Sequence, residues 1–219
     1  MERAMVIKVY DEKVQRIAQA DARLGQLIAV IGDLTIPLRV DPFDSLVMSI
    51  IGQLLSVKAA GTIYTRFVDL CKVVAPESIL LMEDTEFRAA GLSRSKTSYI
   101  KDLSSKVISK EVDLYQLDQF SNETVIRILT SVKGVGKWTA EMFLIFSLGR
   151  LDVLSLGDVG LQRSAKWLYN LDKHEDGKAC LERKASLWFP YYTIASLYLW
   201  EAVNMGYVDS CASLEELLL

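Results

Sequence analysis

The sequence predicts an all-α fold made of about ten short helices. Apolar residues recur at spacings of three and four positions along most of the 219-residue chain, the period of an amphipathic helix. Helix-capping residues and glycine stops divide this pattern at short intervals. The alternation of apolar and polar residues that marks a strand is scarce. A compact bundle of short helices is therefore the expected architecture.

The first quarter of the chain predicts two helices separated by a connector. Asp11 is the expected cap of the first helix, whose apolar positions are Val14, Ile17, Leu24, Leu27 and Ile28. The segment from Leu34 to Val40 is short and contains Pro37, so we predict a connector there. Asp41 followed by Pro42 then starts the second helix, which Gly52 ends or bends.

Further cap and stop residues divide the remainder of the chain into helices. Gly91 is an expected helix stop, and Gly149 begins a linker-like stretch. Pro190 opens a final long helix. The predicted starts of the other helices are Ser56, Pro76, Asp84, Ser93, Ser121, Trp138 and Asp158.

The segment from Lys133 to Ala140 carries most of the functional information. Gly134 and Gly136 flank one apolar residue and predict a tight turn between two helices. The unpaired amides at the start of the second helix, with the positive end of its dipole, can bind a phosphate group. A carboxylate, Asp158, follows Trp138 by twenty positions (158 − 138 = 20).

The composition excludes several classes of protein. Hydrophobic residues make up 51% and charged residues 24% of the chain, which is typical of a globular protein. Because we find neither a membrane-length apolar run nor a signal-peptide pattern, we expect a cytoplasmic protein without membrane contact. Three dispersed cysteines and one histidine, His174, argue against a disulfide framework, a zinc site and Ser-His-Asp chemistry.

The charge distribution bears on nucleic-acid binding. A net charge of −3 weighs mildly against a DNA partner, because DNA-binding domains are usually basic. Two stretches are nevertheless locally basic, residues 94–110 and residues 127–150. Such charge runs are more often solvated helix faces than binding sites, so composition leaves both interpretations open.

Several motifs in matching order resemble the helix-hairpin-helix (HhH-GPD) DNA glycosylase superfamily, in particular its 3-methyladenine DNA glycosylase II (AlkA-like) branch. The segments that carry the resemblance are Leu129 to Ala140 and Gly157 to Arg163, with support from Ile50 to Ala60, Gly91 to Lys96, Trp188 to Pro190 and Leu199 to Trp200. The resemblance extends from Asp41 to Trp200. The additional N-terminal domain of the larger relatives is not expected here.

The resemblance implies a single compact glycosylase unit, residues 1–219, with two helical lobes and a cleft between them. Residues 42–130 are expected to form lobe one, and residues 1–41 with 150–219 to form lobe two. The hairpin is expected at residues 129–148. Asp158 is then expected at the cleft beside the hairpin.

The resemblance also implies how DNA is bound. The amides of Gly134, Gly136 and Thr139 are expected to bind phosphate, and Lys133 and Lys137 to add positive charge. The carbonyls of Thr130, Val132 and Val135 are expected to hold a monovalent cation, Na⁺ or K⁺. Gln53 and Leu54 match the segment that enters the minor groove, with Leu54 as the wedge that fills the gap left by an extruded nucleotide. Leucine is more often a core residue than a wedge.

Asp158 is the expected catalytic residue. A carboxylate stabilises the oxocarbenium-like charge that builds up when an N-glycosidic bond breaks, and it can orient the attacking water. Aspartate is also a favoured helix cap, so the position has a purely structural interpretation too. No cofactor is required for this chemistry, because an alkylated purine is already cationic and can leave without a separate acid.

The substrate pocket is expected to include Trp138, Met142, Tyr191 and Tyr192. Bifunctional relatives have a lysine at the position of Trp138, and this lysine forms a Schiff base that permits strand cleavage. The tryptophan therefore implies a monofunctional enzyme, although it could also be a core residue. Met142 and Tyr192 depart from the family pattern, which often has an aromatic residue and an arginine at these positions.

The sequence thus predicts a base-excision repair glycosylase that acts as a monomer on damaged double-stranded DNA. The expected reaction removes alkylated purines of the 3-methyladenine and 7-methylguanine type and leaves an abasic site. A non-catalytic helix-hairpin-helix module that binds DNA or a lesion is the alternative from another class. An oxidised-base or mismatch enzyme with lyase activity is a third possibility.

Overall fold

The computed structural model describes residues 3–172 and 174–219, apart from the side chain of Val57. The chain divides into two compact units. Unit 1 consists of Met1–Leu38 and Gly149–Leu219, and unit 2 consists of Arg39–Leu148. Unit 1 is therefore assembled from both ends of the chain, and unit 2 from the continuous segment between them.

The elements follow one another with short connections. Unit 1 begins with β1 (Arg3–Ile7), α1 (Glu12–Ala20), α2 (Ala22–Ile31) and β2 (Leu34–Leu38). Unit 2 contains α3 (Pro42–Gly52), α4 (Val57–Cys71), α5 (Pro76–Leu81), α6 (Asp84–Ala90), α7 (Arg94–Ile108), a 3₁₀ helix (Leu114–Gln119), α8 (Asn122–Leu129) and α9 (Lys137–Phe146). Unit 1 resumes with α10 (Val159–Leu168), α11 (Gly177–Trp188), α12 (Tyr192–Asn204), α13 (Tyr207–Ser210) and α14 (Leu214–Leu217). The all-α prediction is confirmed, with one small sheet added.

Capping side chains set the predicted helix starts in unit 2. The Asp41 carboxylate accepts from the amide of Asp44 at 2.8 Å, three residues into its helix. Ser56, Ser93 and Ser121 each accept in the same way from the residue three positions on. These bonds satisfy amides that have no partner inside the helix, which is why serine and aspartate mark these starts.

The connector predicted for Leu34 to Val40 is wrong, because Leu34–Leu38 forms strand β2. This strand pairs antiparallel with β1, in a register that places Leu34 opposite Ile7 and Leu38 opposite Arg3. Pro37 lies opposite Ala4. In a sheet of only two strands both are edge strands, so a proline without an N–H group is tolerated. The proline that suggested a connector is thus compatible with a strand.

The first predicted helix is in fact two helices, which meet at Asp21. The Asp21 carboxylate caps α2 by accepting from the amide of Leu24 at 3.2 Å. It also accepts from the Tyr169 hydroxyl at 2.5 Å and from the Trp188 indole at 3.1 Å. Burial, together with this carboxylate, raises the pKa of Tyr169, so the phenol remains a donor. Helix α11, which ends at Trp188, was not predicted from the sequence.

The core of unit 2 is centred on α3. Its apolar side chains Leu46, Val47, Ile50 and Ile51 are fully buried. Helices α4, α7 and α9 all pack against α3. Because α3 is held on several sides, the turn that follows its end at Gly52 starts from a fixed position. Among the described helices, none is long and apolar enough to cross a membrane.

Candidate active site

The two helices of the predicted hairpin are α8 and α9, joined by residues 130–136. Buried side chains hold this turn in place: Leu129, Val132 and Val135 are at most 4% exposed. The amide of Val132 donates to the Leu129 carbonyl at 3.1 Å, and the amide of Val135 donates to the Val132 carbonyl at 3.0 Å. The turn is therefore a fixed structure rather than a loose loop.

The two glycines of the hairpin have different roles. Gly134 has a φ of +77°, which side chains other than glycine rarely adopt. A Cβ atom at Gly134 would lie 2.1 Å from a ring carbon of Tyr99, which is far inside contact distance. Gly136 has a φ of −90° and caps α9, and a Cβ added there meets nothing within 4 Å. The backbone conformation and the neighbouring Tyr99 ring thus require glycine at position 134, whereas nothing nearby requires it at position 136.

The backbone of the turn has groups that could bind ligands. Gly136 caps α9 and Thr139 lies in its first turn, where helix amides have no acceptor within the helix, and Gly134 lies in the turn just before them. The carbonyls expected to hold a cation, those of Thr130, Val132 and Val135, form an oxygen-only set, which suits a hard cation such as Na⁺ or K⁺. The Val132 carbonyl also accepts from Val135, and a second lone pair stays available on its oxygen.

The two hairpin lysines have different surroundings. The amide of Lys133 donates to the Asp102 carboxylate at 2.8 Å, and its ammonium donates to the Ser98 hydroxyl at 3.0 Å. Lys137 begins α9, is 74% exposed along its side chain, and has its ammonium 3.7 Å from the carboxylate of Glu141. Lys133 thus ties the hairpin to α7, whereas Lys137 projects into solvent.

The turn after α3 places Leu54 in an unusual position. Its φ is +57°, and its side chain is fully exposed. A core leucine is buried, so the interpretation of Leu54 as a core residue is wrong. The neighbouring Gln53 side chain donates through its amide nitrogen to the Gly134 carbonyl at 2.9 Å. Gln53 thus links this turn to the hairpin.

Lys96 also contacts this turn, a contact that was not predicted from the sequence. Its ammonium donates to the carbonyls of Ile51 and Gln53, each at 2.8 Å. Burial lowers the pKa of this ammonium below its usual value. No local sequence pattern points to these bonds, because the partners lie more than forty positions away.

Two of the four predicted pocket residues line one cavity of unit 2. Trp138 and Met142 lie one turn apart on α9, and Trp138 is 45% exposed, which makes it a poor core residue. The cavity has a volume of about 350 Å³ and is mostly apolar. The other lining residues are Arg39, Met48, Ser49, Gly52, Leu55, Ala60 and Phe146. Its volume is within the range of small-molecule binding sites.

Arg39 brings a positive charge to this cavity, and no sequence motif predicted this role. Its Nη1 donates to the Ser45 carbonyl at 3.1 Å and to the Ser49 hydroxyl at 3.0 Å. Burial lowers the pKa of the guanidinium, and the carboxylate of Asp44 opposes that effect. The cavity therefore combines an aromatic ring, a thioether and a fixed cation.

The remaining predicted pocket residues, Tyr191 and Tyr192, belong to unit 1. Tyr192 is the first residue of α12, and its ring meets the ring of Phe189 edge-on, with centroids 6.0 Å apart. The ammonium of Lys13 lies 5.8 Å from the ring centroid of Tyr191. Both tyrosines are half-buried.

Asp158 caps α10 and is only 9% exposed. Its Oδ1 accepts from the amide of Leu161 at 2.8 Å and from the indole nitrogen of Trp200 at 3.0 Å. Two donors on one oxygen fix the orientation of the carboxylate. Asp158 can therefore cap α10, as predicted, and also present an oriented carboxylate.

Two residues that support Asp158 were not assigned roles from the sequence. Trp200 lies on α12, forty-two positions downstream of Asp158, so no local spacing links the pair. Gly160 lies on α10, and a Cβ there would be 3.1 Å from the Asp158 Oδ1 and 3.6 Å from a Trp200 ring carbon. The absence of a side chain at position 160 therefore spares the Asp158 Oδ1 a tight contact.

Comparison with known proteins gives a consistent result. Residues 47–190 match the family model of the HhH-GPD superfamily base excision DNA repair protein. The DNA-3-methyladenine glycosylase 1 of Schizosaccharomyces pombe is 33% identical over 170 residues, which cover 76% of this chain and 74% of that protein.

Two solved structures are also similar. A DNA-3-methyladenine glycosidase from Bacillus halodurans has a TM-score of 0.87 and 44% identity, covering 98% of this chain and 99% of the other. A 3-methyladenine DNA glycosylase of S. pombe in complex with abasic DNA has a TM-score of 0.81 and 28% identity, covering 89% and 97%. From the hairpin, the oriented carboxylate and these matches, we conclude that the chain belongs to the HhH-GPD superfamily of base excision DNA repair proteins.

Proposed function

We propose that this protein is a monofunctional DNA glycosylase that removes alkylated purines, of the 3-methyladenine and 7-methylguanine type, from double-stranded DNA. The reaction hydrolyses the N-glycosidic bond and leaves an abasic site. The observation that carries this proposal is the carboxylate of Asp158, which two N–H donors hold in a nearly buried position. The names of the similar proteins point to the same substrate class.

Asp158 performs the chemistry in this proposal. As the bond between base and sugar lengthens, positive charge builds up on C1′ and the ring oxygen of the sugar, and the carboxylate stabilises that charge. The same group orients the water that attacks C1′ and accepts its proton. Because the donors from Leu161 and Trp200 fix the carboxylate in advance, little reorganisation is needed in the transition state.

The leaving base needs no acid from the protein. A purine methylated at N3 or N7 is cationic in DNA and leaves as a neutral base, so bond cleavage removes a charge from the purine. Trp138 lies where bifunctional relatives have a lysine, and an indole cannot form a Schiff base with the sugar. We therefore propose that the protein has no strand-cleaving activity.

DNA binding is assigned to unit 2. The amides of Gly134, Gly136 and Thr139 bind phosphate oxygens at the start of α9, with charge added by Lys133 and Lys137. Leu54, fully exposed on its turn, enters the minor groove as the wedge. A Na⁺ or K⁺ held by the carbonyls of Thr130, Val132 and Val135 would add a positive charge beside the phosphate. A monomer is proposed as the acting form.

The cavity beside Trp138 is the proposed site for the extruded base. Trp138 offers a ring for stacking, and Met142 offers a polarisable contact where relatives often have an aromatic residue. Tyr191 and Tyr192 remain predicted contacts of the substrate base. The enzyme acts wherever the cell keeps its DNA, which is the cytoplasm in a cell without a nucleus.

The test is the substitution Asp158→Asn. Asparagine is as good a helix cap as aspartate, so the fold is expected to survive. We expect release of free 3-methyladenine from methylated duplex DNA to fall by at least about 100-fold, while binding to an abasic-site duplex changes little. Asp152→Asn, which alters an exposed carboxylate six positions upstream, is the matched control and should retain full activity.

Three results would contradict the proposal. Unchanged base release by Asp158→Asn would remove that residue from the mechanism. Tight binding to abasic DNA with no base release by the unmodified protein would favour a non-catalytic lesion-binding module. Borohydride trapping of a covalent adduct between protein and DNA would indicate a lyase and overturn the role given to Trp138.

A further inference from the structure

We propose that Lys96 is a positioning residue that fixes the Leu54 wedge, and that α7 sets the distance between this wedge and the phosphate-binding hairpin. The inference rests on the proposed function in one respect, namely that Leu54 enters DNA. Everything else follows from contacts within unit 2.

The wedge turn combines two unfavourable features. Leu54 has a left-handed backbone conformation, which leucine rarely adopts, and its apolar side chain is fully exposed to water. A free turn would relax toward another conformation and cover the leucine. Such a conformation persists only where its surroundings impose it. The contacts that impose it therefore bear directly on function.

Lys96 supplies those contacts. Its ammonium bridges the carbonyls of Ile51 and Gln53, one on each side of Gly52, at 2.8 Å each. These carbonyls end α3 or lie just beyond it, where the backbone has lost its helical partners. A positive charge also stabilises the negative end of the helix dipole at this point. One side chain thus holds the backbone immediately before Leu54.

The base from which Lys96 extends is rigid. Lys96 lies in the first turn of α7, where its amide donates to the capping hydroxyl of Ser93 at 3.3 Å. Further along the same helix, Ile100 and Leu103 are fully buried. The ammonium therefore reaches the wedge turn from a helix that is anchored in the core of unit 2.

The same helix supports the hairpin. The Ser98 hydroxyl accepts from the Lys133 ammonium, and the Asp102 carboxylate accepts from the Lys133 amide. The ring of Tyr99 lies against Gly134 and would collide with any side chain there. Four residues within seven positions of α7 thus hold the wedge turn on one side and the hairpin on the other.

Gln53 connects the wedge turn directly to the hairpin. Its carbonyl accepts from Lys96, and its side-chain amide donates to the carbonyl of Gly134. The wedge turn and the hairpin are therefore joined directly as well as through α7. The spacing between the side chain that enters the duplex and the amides that bind the flanking phosphate is built into the free protein.

The experiment combines Lys96→Met with Leu54→Ala. Each single variant is expected to lower the rate of base release from methylated duplex about 10-fold under single-turnover conditions. The double variant is expected to be no slower than Leu54→Ala, because Lys96 acts through Leu54. Lys101→Met, which removes an exposed ion pair with Asp84 from the same helix, is the matched control and should keep the rate unchanged.

A second measurement separates this inference from the proposed function. The fluorescence of 2-aminopurine placed next to an abasic-site analogue reports unstacking by the wedge and requires no catalysis. We expect Lys96→Met to reduce the fluorescence rise that the unmodified protein produces, and Lys96→Arg to restore most of it. If the unmodified protein unstacks the probe but releases no base, the proposed chemistry fails and the inference about Lys96 stands.

The inference is overturned if Lys96→Met matches the unmodified protein in both measurements, or if the losses of the two single variants multiply in the double variant. A fold defect is detected by thermal unfolding. Should Lys96→Met not fold, Lys96→Gln, which keeps a shorter amide donor, replaces it in the same cycle. Equal losses on duplex and single-stranded methylated DNA would also overturn it, because single strands need no wedge.

Discussion

At the scale of single residues, the proposed chemistry needs both the carboxylate of Asp158 and the contacts that hold it. Aspartate caps many helices, but here the capping oxygen also accepts from the indole of Trp200. This second donor comes from another helix, α12. Together they turn a common helix cap into a carboxylate with a fixed orientation.

This arrangement predicts the effect of Trp200→Phe. Phenylalanine keeps most of the ring but removes the N–H donor, so the Asp158 carboxylate gains rotational freedom. We expect kcat for base release to fall about 10-fold, with a stability loss of about 1 kcal/mol from the missing hydrogen bond. Single-turnover kinetics and urea unfolding measure the two effects separately.

Trp167→Phe is the matched control for this prediction. Its indole donates to the Cys211 carbonyl at 2.9 Å, so the substitution removes the same kind of bond elsewhere in unit 1. The stability loss should be similar, with kcat unchanged. A similar loss of kcat in both variants would mean that Trp200 acts through the stability of the unit and has no particular effect on Asp158.

At the scale of structural elements, the hairpin depends on Gly134 more than on Gly136. An alanine at position 134 would have to adopt a φ of +77° and push aside the ring of Tyr99. We expect Gly134→Ala to lower the free energy of unfolding by at least about 2 kcal/mol and to weaken binding to abasic duplex DNA. Denaturant unfolding and a fluorescence-anisotropy titration measure these changes.

Gly136→Ala provides the comparison, since position 136 has an ordinary φ and open space for a Cβ atom. Its stability loss should stay below about 1 kcal/mol, the difference between glycine and alanine at a helix cap. Adding Tyr99→Ala to Gly134→Ala should recover part of the loss by removing the clash. If both glycine variants are equally stable, the strain assigned to Gly134 is absent.

The helices were easier to predict from the sequence than the contacts between them. Ser93 and Ser121 mark helix starts because a cap acts over three residues, which a sequence displays directly. Strand β2 was missed because its partner β1 lies about thirty positions away and its proline suggested a connector. The contacts of Lys96 and Trp200 were missed for the same reason: their partners are distant in the sequence.

At the scale of the whole molecule, a protein of net charge −3 is proposed to bind a polyanion. Backbone amides make this possible, because a helix start presents donors and a dipole without contributing to the net charge. Few lysines then need to approach the phosphates. Binding should depend on salt less steeply than it does for basic DNA-binding proteins, since fewer counterions are released.

A substitution at Lys137 measures how much of the DNA binding depends on lysine charge rather than on backbone amides. Lys137→Met should weaken binding to abasic duplex uniformly and reduce the slope of log K against log salt by about 0.9, the value for one phosphate contact. Lys178→Met on α11 is the matched control: both lysines are paired with a glutamate four positions on, and both substitutions change the net charge equally. Its slope should equal that of the unmodified protein. Equal slope changes in the two variants would show that net charge, rather than a local phosphate contact, governs the salt dependence.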